Sequence, residues 1–252
     1  MLGVVRVGVW DAVMLVAVSL QATTLAYLHH PRGKALVMSL PIPFTTASLA
    51  LGRPVDATNE AALGLLLLFM HAVRVLHTRA GVPIVPSILL GALAYSALGA
   101  ALARVLPPTS VAFWSTTALV LGVGIVLQAT QPQRSEPGHR SPLPVWIKLP
   151  IIAGVIAFLI LMKQALAGFM TLFPMVGVVA AYEARHSLWT MSRQMPVILI
   201  TLSAMIVTVR LTQGHLGMGW ALVLGWAAFF CTLVPLTRAM WSKEDQTATA
   251  AA

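Results

Sequence analysis

LPIPFTTAS, residues 40–48, places Pro41 and Pro43 two positions apart inside a stretch otherwise apolar enough to cross a bilayer. Proline lacks the backbone donor and crowds the preceding turn. A helix within a membrane keeps it only where neighbouring groups satisfy the carbonyls that it frees. The stretch therefore predicts a broken helix, with the hydroxyls of Thr45, Thr46 and Ser48 just beyond the break.

The chain around it is 58% hydrophobic and 9% charged, with a mean hydropathy of +0.87, whereas soluble domains carry about a quarter charged residues. This is the composition of an all-α polytopic membrane protein. Its net charge of +9 does not point to nucleic acid, because basic residues scattered at helix ends are what the positive-inside rule produces. A single cysteine excludes an internal disulfide framework and a thiolate metal cluster, and leaves Cys231 to be a small buried side chain. The apolar run after Arg6 is about as long as a span needs and has no small-residue cleavage pattern, so it reads as a retained helix and not a signal peptide.

Nine apolar segments can be placed, at 7–28, 35–51, 61–76, 82–106, 111–129, 147–162, 166–182, 195–211 and 216–240. Between the fifth and sixth lies QPQRSEPGHRSPLP, residues 131–144, a linker rich in proline and charge. With nine spans the basic residues sort onto two sides. Arg6, Arg53, Arg104, Lys163 and Arg210 fall on one. Arg32, Lys34, Arg74, Arg79, Arg134, Arg140, Lys148, Arg185, Arg193, Arg238 and Lys243 fall on the other, which is 11 against 5. The richer side is expected to be cytoplasmic, with the N-terminus outside and the C-terminus inside.

LGALAYSALGAALARVL from Leu90 aligns without a gap on LGWAAFFCTLVPLTRAM from Leu224, an offset of 134. In the same order, Val73-Arg74 meets Val209-Arg210, Met38-Ser39-Leu40 meets Met170-Thr171-Leu172, and Val9-Trp10 meets Val145-Trp146. A common order at a nearly constant offset signals duplication. Four helices in 1–106 and four in 145–241 would be the repeats, with 107–144 holding an odd connecting helix and the linker, and 242–252 a disordered tail. An odd connector inverts the second repeat in the membrane, the arrangement that many secondary transporters build around a midplane site. It also sets LPIPFTTAS against TLFPMVG, residues 171–177, which contain Pro174 and Gly177.

In AGFMTLFPMVGVVAAYE, residues 167–183, the pattern Ala167-Gly168, Leu172-Phe173-Pro174, Ala180 and Tyr182 resembles the GlpM family of small bacterial inner-membrane proteins. The resemblance covers the second half of the chain. The first half departs from the motif, having Pro41 and Pro43 where it has Phe173 and Met175. It implies a fused pair of four-helix units in a bacterial inner membrane, and little about mechanism.

Candidate solute-binding residues follow from the breaks. Pro41, Pro43 and Pro174 would open half-helix N–H groups and dipoles near the midplane, beside Gly177, with Thr45, Thr46, Ser48 and Thr171 adding hydroxyls. Such a site favours an anionic or polar solute. Lys163 could neutralise it, and His71 could titrate. The carboxylates of Asp11, Glu60 and Glu183 fall near interfaces, which disfavours a relay of buried acids. His29, His30, Arg32 and Lys34 form either an ordinary basic anchor or an anion-attracting vestibule. Gly91, Gly99, Gly122 and Gly124 suit close helix packing. No zincin, nucleophile-elbow, phosphate-loop or dinucleotide motif occurs, and no catalytic residue, cofactor or metal is expected. The expected partners are a small solute and the lipid bilayer, not nucleic acid, with a homo-oligomer left open. A secondary transporter or exporter is the leading reading. A non-catalytic subunit or assembly factor is the second, and a lipid-acting membrane enzyme the third.

Overall fold

The computed structural model describes residues 8–132, 136, 138–139, 144–161 and 167–250, and among these it is all-helical. In chain order the elements are α1 (Val9–Tyr27), α2 (Pro31–Ser39), α3 (Ile42–Leu51), α4 (Ala57–Thr78), α5 (Ile84–Val105) and α6 (Ser110–Thr130). After the linker come α7 (Val145–Leu161), a 3-10 helix (Ala167–Leu172), α8 (Met175–Glu183) and α9 (Leu188–Ala250). Among the described residues six stretches are long and apolar enough to cross a membrane: α1, Pro31–Leu51, α4, α5, α6 and Leu188–Ser242. Val145–Ala157 and Phe169–Glu183 are apolar but shorter. This is the build of a membrane-embedded protein.

The segment read as 35–51 is two helices, because Pro41 and Pro43 cannot carry the ladder across. The segment read as 166–182 is a 3-10 helix followed by α8, with Pro174 between them. The last two segments are joined in α9, which leaves helical geometry at Gly217 (φ 75°, ψ 163°). That combination is open essentially to glycine alone. The turn therefore falls at residue 217, just inside the segment expected to start at 216.

Local chemistry fixes the helix ends. Asp56 caps α4, accepting from Thr58 N at 2.8 Å, while its own N–H donates to Asn59 Oδ1 at 2.8 Å. Asn59 completes this capping box, so the helix starts at Ala57, four residues before the apolar run. From the linker, Glu136 reaches the start of α9 and accepts from Trp189 N, Thr190 N and the Thr190 hydroxyl. A carboxylate at a helix N-terminus also suits the helix dipole.

The core lies between α1, α4, α8 and the first half of α9. Met14, Val18, Ala22 and Leu25 of α1 recur on one face with helical spacing and are all 0% exposed. They belong to the same cluster as Leu63, Met70 and Val73 of α4, Met175 and Ala181 of α8, and Met191, Leu199 and Met205 of α9. α6 lies against both α4 and α9. Leu89, Leu93, Leu119, Ile125, Trp220 and Val223 are exposed along α5, α6 and the second half of α9, an apolar exterior suited to lipid. Cys231 is exposed there too and is not the buried side chain expected; a thiol is apolar enough to face lipid without penalty.

Three of the four singled-out glycines sit at close approaches. A Cβ at Gly91 would lie 3.0 Å from Phe69 and Val73, at Gly99 3.3 Å from Phe169, and at Gly124 3.2 Å from Leu199 and Ile200. Gly122 faces open space.

Candidate functional site

The two helix breaks meet. A cavity of ≈ 50 Å³ is lined by Leu40, Pro41, Pro43 and Phe44 from the first and by Thr171, Phe173, Pro174 and Gly177 from the second. Leu66 and Met70 of α4, with Met195, Ile198 and Leu202 of α9, complete it. Pro41 is the N-cap of α3 and Pro174 the N-cap of α8, so two short helices direct their first turns at one space. First-turn N–H groups have no partner within their own helix, and the dipole favours negative charge there. The chemistry on offer is a pair of positive helix ends in an otherwise apolar wall. Ser39 and Thr171 are its polar side chains. The volume has room for a few waters. Any larger solute requires the walls to part.

Buried amides hold the breaks in shape. Gln21 of α1 donates through Nε2 to Val37 O at 2.8 Å and Leu40 O at 3.0 Å. Val37 O is the acceptor that an N–H at position 41 would serve in an unbroken helix, so Gln21 replaces the donor that Pro41 lacks. Gln194 Nε2 of α9 donates to the Ser39 hydroxyl at 2.9 Å. Asn59 Nδ2 of α4 donates to the Thr171 hydroxyl at 2.9 Å. Each broken helix is thus tied by an amide from a helix on the other side of the linker. Tyr95 adds a bond from its hydroxyl to Phe169 O at 2.8 Å.

Of the residues expected at the site, Pro41, Pro43, Thr171, Pro174 and Gly177 line the cavity. Thr45 does not: its hydroxyl donates to Pro41 O and accepts from Trp226 Nε1. Thr46 is occupied with Ile42 O. Both bond to their own helix, as hydroxyls in apolar helices commonly do. Ser48 lines a separate recess with Arg53, Asp56, Asn59 and Thr171. His71 lies outside the lining, its Nδ1 3.0 Å from Leu67 O. Lys163 lies outside the described residues.

The expected vestibule is also different. Lys34 is 1% exposed and its ammonium donates to Glu183 O and His139 O, both at 2.8 Å. It clamps α2 to the end of α8 and to the linker. Beside it, Lys148 of α7 and Glu183 form a buried ion pair at 2.8 Å, with the Lys148 ammonium 4.9 Å over the Tyr27 ring. His139 Nε2 lies 3.2 Å from Arg185 Nη2. Arginine only donates, so this imidazole is the acceptor and is neutral. Partial burial and the neighbouring Arg185, His186 and Lys34 lower its pKa from the ordinary 6.5, against a weaker upward pull from Glu183.

Glu60 is a buried carboxylate that the reading of acids near interfaces did not anticipate. It is 0% exposed, in the first turn of α4, and accepts from the Ser203 hydroxyl of α9 at 2.9 Å. Sequence reading missed Gln194, Asn59, Ser203 and Trp226 as well. Only tertiary contact gives these side chains their partners. Among the described residues no group of three or more His, Cys, Asp or Glu could share a metal ion.

No family model, curated protein or solved structure matches this chain. What it does has to be inferred from its own geometry.

Proposed function

We propose that the protein is a secondary transporter or exporter of a small, anionic or polar solute, working by alternating access between two inverted repeats, 1–106 and 145–241. The observation that carries this reading is the shared cavity at the two breaks, where α3 and α8 present their N-terminal turns to one space. Discontinuous helices facing each other near the midplane are how inverted-repeat transporters build a solute site.

Further contacts support the duplication. Ser39 and Thr171 align in the repeat, and each accepts from an amide, Gln194 or Asn59, in the opposite half. Gly91 packs on Phe69 and Val73, and Gly225 packs on Met205 and Val209. All three pairs recur at an offset of 134 to 136. Dividing α9 at Gly217 and counting the two shorter apolar stretches with the other five spans gives nine crossings. At about 1.5 Å per residue the two parts, 188–216 and 218–242, are each roughly 35–45 Å long, enough for a hydrocarbon core of about 30 Å. Three of the basic residues sorted to the richer side, Lys34, Lys148 and Arg185, cluster at one end round Glu183 and His139. Arg210 and Val55 meet at the other. On the positive-inside rule the first end is cytoplasmic, and the membrane is a bacterial inner membrane on the GlpM resemblance.

The test is a thermal-shift screen of the purified protein against small anions, nucleosides, sugars and lipid head groups, since a ligand bound only by the folded form raises its melting temperature. A small anionic or polar solute should shift wild type. Gly177→Ala, whose methyl would lie 3.2 Å from Pro174 Cβ and crowd the cavity, should abolish the shift. A shift retained in Gly177→Ala removes the site from the breaks. No shift at all, with stable co-purification of another protein, favours the subunit reading.

A further inference from the structure

Glu60 is the carboxylate for which the break cavity has no use. It is 0% exposed and enclosed by α4, α6 and α9. Its Oε2 accepts from Ser203, while Oε1 has no hydrogen-bond partner. The neighbouring hydroxyl of Thr117 bonds Phe113 O at 2.9 Å, and with its hydrogen there it offers a lone pair that a protonated carboxyl can meet.

Among the described residues no cation is paired with it, and Arg53, in the recess beside its helical turn, is exposed. α6 carries no charged residue. On α9, Arg210 lies about two turns from Ser203 and donates to Val55 O, with its guanidinium 5.6 Å over the Phe113 ring. Arg193 lies nearly three turns the other way, on the far side of Thr201 and Ser203. Arg104 of α5 is exposed near the C-terminal end of its helix. The 3-10 helix has no charged residue, and Glu183 of α8 is paired with Lys148. On α4 itself Asp56 is engaged by Thr58, and His71, Arg74 and His77 lie three or more turns away. A bare carboxylate buried in a packed apolar interior, with one oxygen unsatisfied and no counter-ion, is among the costliest groups a fold can hold. Something neutralises it, and the smallest candidate that fits a packed site is a proton.

We infer that Glu60 is a proton-binding site inside the membrane, loaded and emptied from the α3–α4 end of the molecule. The recess lined by Ser48, Arg53, Asp56, Asn59 and Thr171 adjoins its helical turn, and the buried Ser48 hydroxyl there has no partner. The recess, at ≈ 10 Å³, is close to the room one water needs. Asn59, the next residue, is bonded to Thr171 in the wall of the break cavity. Loading therefore acts one residue from that wall. The inference stands whether or not the cavity carries a solute.

Dicyclohexylcarbodiimide tests it, because the reagent modifies protonated carboxyls in apolar surroundings. The purified full chain, labelled and digested, should carry the adduct on Glu60. Labelling should slow by roughly tenfold or more from mildly acidic to alkaline pH, since each pH unit above the titration point lowers the protonated fraction tenfold. Glu60→Gln should lose the adduct and keep the wild-type melting temperature, because the amide can still meet Ser203 and Thr117. An unlabelled Glu60, a rate that ignores pH, or protection by sodium or potassium at fixed pH would overturn the inference, the last by assigning the site to a metal cation. Infrared spectra of wild type need no variant. A protonated-carboxyl stretch should shift in heavy water and disappear at alkaline pH. A stretch that persists at every pH, or never appears, also overturns the inference.

Discussion

Replacing Gln21 with methionine, which keeps the length and removes the amide, measures what holds the first break together. The amide makes two bonds, to Val37 O at 2.8 Å and Leu40 O at 3.0 Å. Side-chain bonds between membrane helices are worth about 0.6 kcal/mol each and up to about 1.7. A buried acceptor left bare costs about 1–3 kcal/mol. Val37 O also receives Leu40 N at 3.3 Å, so most of the loss falls on Leu40 O. Removing Gln21 Oε1, which has no partner, offsets part of it. The expected net destabilisation is about 1–2 kcal/mol. Reversible unfolding in mixed micelles would read it. A second background sharpens the test. Pro41→Ala restores an N–H that can serve Val37 O, so Gln21→Met should cost less there, with a coupling of at least about 0.5 kcal/mol. If Gln21→Met unfolds with wild type, or costs the same in both backgrounds, the break does not depend on this amide.

Three other outcomes are expected. Alanine at Gly91 would place Cβ 3.0 Å from Phe69 and Val73, and at Gly225 2.8 Å from Val209 and 3.0 Å from Met205; each should destabilise by about 1–3 kcal/mol in the same unfolding assay, Gly225 more, and a wild-type melt for either removes the close packing argued for that hairpin. Cysteines placed at the exposed His186 and His215 in a Cys231→Ser background should be labelled from opposite faces, His186 from the cytoplasm, and labelling of both from one face contradicts the nine-span topology. His139 has its folded pKa below the ordinary 6.5, so the folded state binds fewer protons than the unfolded one between those two values, and stability present above 6.5 is lost as pH falls through the lowered pKa. His139→Gln should flatten that part of the melting-temperature profile, and an unchanged profile assigns the pH response to other groups.

The breaks were legible because proline's missing donor is a property of the residue, whatever surrounds it. Their pairing was legible because the residues before them, Met38-Ser39-Leu40 and Met170-Thr171-Leu172, match in type. The caps are out of register by one: Pro41 is matched by position to Phe173, yet Pro174 is the residue that caps α8. Hydroxyl roles were not legible. Thr45 and Thr46 could bond to a solute or to the turn below, and sequence contains no term that chooses between them. Glu60 was placed at the interface because the apolar run begins only at residue 61. The capping box starts α4 at Ala57 and draws Glu60 into the packed face. Cys231 was misjudged for a related reason, since in a membrane an exposed position can be as apolar as a buried one.

The fastening of the two breaks is unequal. At the position that an offset of 136 matches to Gln21, α7 carries Ala157, which has no donor to give. The second break closes its backbone locally instead, Phe173 N to Met170 O at 3.2 Å and Met175 N to Phe173 O at 2.6 Å. The first elbow is therefore fastened to α1, whereas the second is fastened to α4 and α5 through Asn59 and Tyr95. On the alternating access proposed above, two perfectly equivalent halves would give inward-facing and outward-facing forms of equal energy. Dissimilar ties at the two breaks, each worth about 1 kcal/mol, would on that proposal make one of the two forms the preferred one.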